Sequence, residues 1–113
     1  MIPIKPAYSY YTDMMWRFFM ARKDNPSKSL GDNIGHINYH ACETVWHSLD
    51  DQEREIQEVI YNGSRNTAQQ RASEYATANG LTVQSVWSVA HRTSRKLAVT
   101  RGLIADYPEG KVT

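Results

Sequence analysis

Residues 68–101 read AQQRASEYATANGLTVQSVWSVAHRTSRKLAVTR, and the fold turns on how this stretch divides. Ala68, Ala72, Tyr75 and Ala76 recur at helical spacing, Val86 and Val89 continue an apolar face further on, and Asn79-Gly80-Leu81-Thr82 separates the two runs. Asn79 and Gly80 suit a helix end, because glycine enters the left-handed backbone region without a steric penalty. Thr82 suits the next helix start, since its hydroxyl accepts from one of the unpaired N–H groups of a first turn. Ala76 is small enough for close helix approach, and Leu81 enters the core beside the turn. The pattern predicts a helix from about Asn66 to Ala78 and another from the Thr82 cap to about Gly102, arranged as a helix-turn-helix.

Three more helices are predicted upstream. Ser9 to about Arg22 lacks proline and glycine and carries Met14, Met15, Phe18 and Phe19 at helical spacing. With Tyr8, Tyr10, Tyr11 and Trp16 added, apolar groups nearly encircle this helix, so it is deeply buried or supplies a partner surface. The loop KDNPSKSLGDN follows and reads as the most mobile connection. Asp32 can cap a helix from about Asn33 to Ser48, whose expected core face is Ile34, Ile37, Ala41, Val45 and Trp46. Ser48 or Asp50 can cap the next, with Asp50, Asp51 and Glu53 at the positive end of its dipole, Ile56, Val59 and Ile60 inward, and Asn62-Gly63 as terminator. No segment has strand alternation, so the expected fold class is all-α with about five helices.

At 113 residues, 41% hydrophobic and 22% charged, the chain has the size and composition of one globular domain over 1–113. Within it, residues 1–48 are expected as a helical extension and 49–105 as the helix-turn-helix region. No apolar run approaches the roughly 20 residues of a membrane span. The amino terminus MIPIKPAYSYY has no secretory pattern, which gives an expectation of a cytoplasmic protein. The single cysteine, Cys42, excludes an intramolecular disulfide framework and a thiolate zinc cage. Residues 1–63 hold six Lys/Arg against nine Asp/Glu, a balance of −3, whereas residues 64–113 hold seven against three, a balance of +4. That polarity hints at an anionic partner for the second half.

The outward positions of the last predicted helix carry the functional reading. Gln84, Ser85, Ser88, His91, Arg92, Arg95 and Lys96 are polar or basic, the character of a helix that lies in the major groove of double-stranded DNA. Thr82, Gln84, Ser85 and Ser88 stand at its start, where side chains reach base edges. Arg92, Arg95 and Lys96, joined by Arg65 and Arg71, suit phosphates. A helical hairpin with a solvated basic face is the bland alternative.

Leu49 to Leu97 resembles region 4 of sigma factors, especially the extracytoplasmic-function type, and phage regulators built on that module. Leu49, Glu53, Arg54, Ile56 and Tyr61 match its first half, and Ala76, Gly80, Leu81, Thr82, Val86, His91, Arg92 and Leu97 its second. Two features depart from the pattern: the 15 positions from Tyr61 to Ala76 exceed the usual spacing, and Trp87 replaces a commonly polar recognition residue. Nothing upstream resembles the sigma region that binds the promoter −10 element and core polymerase. The resemblance implies a stand-alone DNA-binding transcriptional regulator of phage or mobile-element type, with no cofactor. A lone helix-turn-helix binds paired half-sites as a dimer, so a homodimer through the first, aromatic helix is expected. The alternative of another class is a helical adaptor or inhibitor that binds a host protein such as RNA polymerase.

Other constellations carry less. His36, His40, Glu43 and His47 fall on one helical stripe, a spacing suited to zinc ligands but equally to a wet surface opposite Ala41 and Val45. Cys42 lacks a nucleophile's surroundings and reads as core. With no phosphate-cradling glycine loop, the sequence gives no sign of an enzyme.

Overall fold

The computed structural model describes residues 7–105, which form five α-helices and one 3-10 turn with no strand among them. Helix α1 spans Tyr8–Met20, α2 Asn33–Ser48, α3 Asp51–Tyr61, α4 Ala68–Ala78 and α5 Val83–Arg101, and the 3-10 turn Arg65–Thr67 leads into α4. Local side-chain chemistry sets most of these boundaries. Asp32 accepts from the Gly35 N–H at 3.0 Å, and Asp50 accepts from the Glu53 N–H at 2.8 Å while the Glu53 carboxylate receives the Asp50 N–H at 2.9 Å, a reciprocal capping box. Thr82 accepts from the Ser85 N–H at 3.0 Å. Gly80 closes α4 at φ +65°, which lets the Leu81 N–H reach the Ala76 carbonyl at 2.8 Å. Gly102 ends α5 in the same way at φ +82°.

Helix α5 touches all four other helices, and α1 supplies the largest buried side chains. Met15, Trp16, Phe19 and Met20 are buried, and Trp16 stacks on Tyr61 with ring centres 6.4 Å apart, while Phe19 meets Tyr39 at 5.1 Å and Trp46 at 5.7 Å. α2 lies along α5, α3 pairs with α4, and α1 touches α2, α3 and α5, so one continuous core runs from Met15 to Leu97. The radius of gyration, 14.4 Å, is that of a compact globule of this size. No described helix is long and apolar enough to cross a membrane.

Several expectations are corrected. Ile34 and Ile37 are about half exposed, and α2 instead buries Asn38, Ala41, Cys42 and Val45. The face rotates because Asn38 has polar partners inside: its amide donates to the Tyr11 hydroxyl at 3.1 Å, and its carbonyl accepts from Arg101 Nε at 2.6 Å. α1 stops at Met20 rather than near Arg22, and Met14 on its outer side is exposed. Arg22 turns back, donating to the carbonyls of Phe18 and Ser29 and lying 3.6 Å over the Phe18 ring, which braces the loop 23–32.

Candidate nucleic-acid interface

Helices α4 and α5 meet through a four-residue turn whose inner side is closed by Ala72, Ala76, Val86 and Ala90, all buried. Small side chains on both helices permit the close approach. On the outer side of α5, Thr82, Gln84, Ser85, Ser88, His91, Arg92 and Lys96 are exposed, and Arg95 is half-buried. The hydroxyls of Thr82 and Ser85 are engaged in the cap, since Ser85 Oγ also donates to the Thr82 carbonyl at 2.8 Å. Gln84 and Ser88 are therefore the polar groups of the first turns left free to meet a ligand.

The two halves of α5 have different surroundings. Its first half is anchored by Val86 and Ala90, whereas its second half also buries Thr93, Ser94, Leu97 and Ala98. There α2 lies alongside, and Arg95 and Lys96 border a shallow hollow of about 290 Å³ with Thr44, Ser48 and Thr100. Gln84, Ser85, Ser88 and Arg92 thus stand clear of neighbouring helices, while Arg95 sits against one.

On the opposite flank of α5 a cleft of about 690 Å³ opens between α1, the end of α3, the start of α4 and α5. Trp87 forms part of its wall and donates its indole N–H to Gln69 Oε1 at 2.8 Å, which couples α5 to α4. His91 faces the same cleft, its ring centre 6.4 Å from Trp87, so it stands at the border between cleft and outer face.

Most of the arginines are engaged inside the fold. Arg71 donates from Nε to the Val59 carbonyl at 2.7 Å, from Nη2 to Ile60 at 2.9 Å, and from Nη1 to Ser64 at 2.9 Å and to Thr67 Oγ1. It is a clamp on the end of α3, not the phosphate contact expected from sequence. The clamp and the 3-10 turn occupy the connection between α3 and α4. Arg54 does the same for α2 through the carbonyls of Trp46 and His47, Arg101 is held by Asn38, and Arg17 donates to the Gly63 carbonyl at 2.8 Å. Arg65, Arg92 and Lys96 have no side-chain partner among the described residues and remain available to an anion.

The His36, His40, Glu43 and His47 stripe is a surface feature in which His40 Nδ1 and Glu43 Oε1 stand 3.4 Å apart. Among the described residues no three metal-ligating side chains come together. Cys42 is fully buried, its thiol directed at the Met15 carbonyl at 3.6 Å, and burial raises its pKa far above the ordinary thiol value. The side chains of α1 split: Trp16 and Phe19 enter the core, whereas Tyr10 and Met14, with Ile34 and Ile37 of α2, are the exposed large apolar side chains among the described residues. No protein-family model matches the chain, and no curated protein or solved structure does.

Proposed function

We propose that the chain is a double-stranded DNA-binding transcriptional regulator of phage or mobile-element type, in which α4 and α5 act as a sigma-region-4-like helix-turn-helix. The observation that carries this reading is the outer face of the first half of α5, where Gln84, Ser85, Ser88 and Arg92 are exposed together directly after the Thr82 cap. A helix offering its amino-terminal turns in this way fits a major groove. Gln84 and Ser88 read base edges, and Arg92, Lys96 and Arg65 neutralise phosphates, with Arg95 and His91 at the margins. Arg71 is excluded from that set by its clamp.

Fluorescence anisotropy with random-sequence duplex DNA over a salt series tests the reading. Binding near micromolar, weakening steeply as salt rises, is expected from several neutralised phosphates. Arg92→Ala is expected to reduce the salt slope by about 1 on every duplex, and Gln84→Ala to relax sequence preference with little change in slope. Absence of binding at low salt refutes the proposal.

The exposed Tyr10, Met14, Ile34 and Ile37 favour a companion proposal. These side chains seat a second copy of the chain, giving the homodimer that paired half-sites require. Light scattering that finds only monomers with and without DNA refutes the dimer. In that case the same apolar side chains support the adaptor reading, in which a host protein such as RNA polymerase is the partner.

A further inference from the structure

The cleft beside α5 has the size of a small-molecule site, about 690 Å³ against the roughly 300–1,000 Å³ usual for ligand pockets. Its walls are aromatic, with Tyr8, Tyr61 and Trp87 around it, and its charged groups are Arg17, Arg65 and Asp13. Asp13 is already engaged, accepting from the Tyr61 hydroxyl at 3.0 Å. Arg17 is only partly satisfied: one terminal nitrogen holds the Gly63 carbonyl, while its buried Nε–H has no partner. Burial first, and then the neighbouring charge of Arg65, lower the pKa of Arg17. Arg17 and Arg65 line the same aromatic cleft beside the Asp13 carboxylate, an arrangement that suits a ligand carrying a concentrated negative charge and a flat ring. Gln69 adds a polar contact, because its carbonyl oxygen takes the Trp87 indole and its NH2 group is left to donate.

We infer that this cleft binds a nucleoside monophosphate, its base against the aromatic walls and its phosphate between Arg17 and Arg65. A phosphate monoester is close to a dianion at neutral pH and suits two arginines better than a carboxylate does. Gln69 donates to an acceptor on the base edge. This site lies beside the outer face of α5, shares Arg65 with the proposed DNA contact, and is argued from the cleft alone, without the DNA-binding proposal.

The test is a titration of the 15N-labelled full chain with AMP and GMP, with adenosine and inorganic phosphate as the two halves of the ligand. The expected result is a shift of the Trp87 indole and Gln69 side-chain resonances by the nucleotides, with adenosine and phosphate at least about tenfold weaker. Arg65→Ala, an exposed position with no side-chain partner among the described residues, is expected to weaken nucleotide binding about tenfold while the remaining spectrum stays in place. Gln69→Ala serves as the second variant and is expected to weaken it less. Inorganic phosphate binding as well as AMP, or an unchanged affinity in Arg65→Ala, overturns the inference. So does a response confined to Gln84, Ser88 and Arg92, which places the nucleotide on the outer helix face instead.

Discussion

Replacing Arg71 by methionine keeps most of the aliphatic stem and removes every hydrogen bond of the guanidinium. Two of those bonds, to the Val59 and Ile60 carbonyls, are partly buried, and two, to Ser64 and Thr67, are exposed. The last backbone bond of α3 runs from the Asn62 N–H to the Glu58 carbonyl, so Val59 and Ile60 depend on Arg71. Taking about 1.5 kcal/mol for each partly buried bond to a charged donor, and little for the exposed pair, gives a loss of roughly 3 kcal/mol. Against a total stability of about 5–15 kcal/mol that is a large fraction, equivalent to a fall in Tm of roughly 10–20 °C. Urea unfolding followed by far-UV circular dichroism measures it directly. Arg71→Lys should recover less than half, because one ammonium group cannot span carbonyls that a planar fork reaches together. An Arg71→Met variant within about 1 kcal/mol of the parent would refute the clamp.

Other substitutions probe separate features. Gln57 is fully buried with neither side-chain polar atom hydrogen-bonded, so Gln57→Met, similar in volume, should raise stability by about 1–3 kcal/mol; a lower urea midpoint contradicts this. A Cβ on Gly35 would stand 1.9 Å from the Leu30 carbonyl oxygen, a backbone atom, so Gly35→Ala should cost at least about 2 kcal/mol in the same assay, and an unchanged midpoint would show that the loop yields. Burial, and then the nearby Asp13, raise the Tyr61 pKa, and burial with the Glu55 contact pushes Tyr75 up to about 12. Above about pH 10 the unfolded chain loses these protons while the native state keeps them, so stability is complete below that pH and declines as pH rises. Tyr61→Phe should flatten the decline; a variant with the parent's pH profile rules out Tyr61 as its source.

The parts of the fold legible in the sequence are those that short-range chemistry decides. Asp32, Asp50 and Thr82 cap the helices expected of them, and Gly80 makes its turn, because each acts within three or four residues. Which side of α2 turns inward is decided elsewhere. Ile34 and Ile37 yield to Asn38 because Arg101, 63 positions away, satisfies the buried amide. The role of Arg71 is hidden for a similar reason: its partly buried partners are the Val59 and Ile60 carbonyls of another helix, and carbonyls leave no trace in residue identity. Within the candidate interface, the exposure of Gln84, Ser88 and Arg92 follows from helical periodicity alone. The partial burial of Arg95 does not, since it depends on where α2 comes to rest. The cleft draws on four separate helices, and no local pattern announces it.

The unequal surroundings of the two halves of α5 have a consequence for how this sequence can vary. A 19-residue helix is about 28 Å long, and here the far half is buried more broadly, while the near half is held by the Val86–Ala90 seam and leaves Gln84, Ser85, Ser88 and Arg92 facing water. Stability and surface specificity are thereby assigned to different segments of one rigid rod. Gln84, Ser88 and Arg92 can be randomised together with little change in folding, and the Thr82 cap and the Val86–Ala90 seam keep every replacement in the same orientation. Natural drift or deliberate selection at those three sites would alter what the helix recognises while the other helices keep their places.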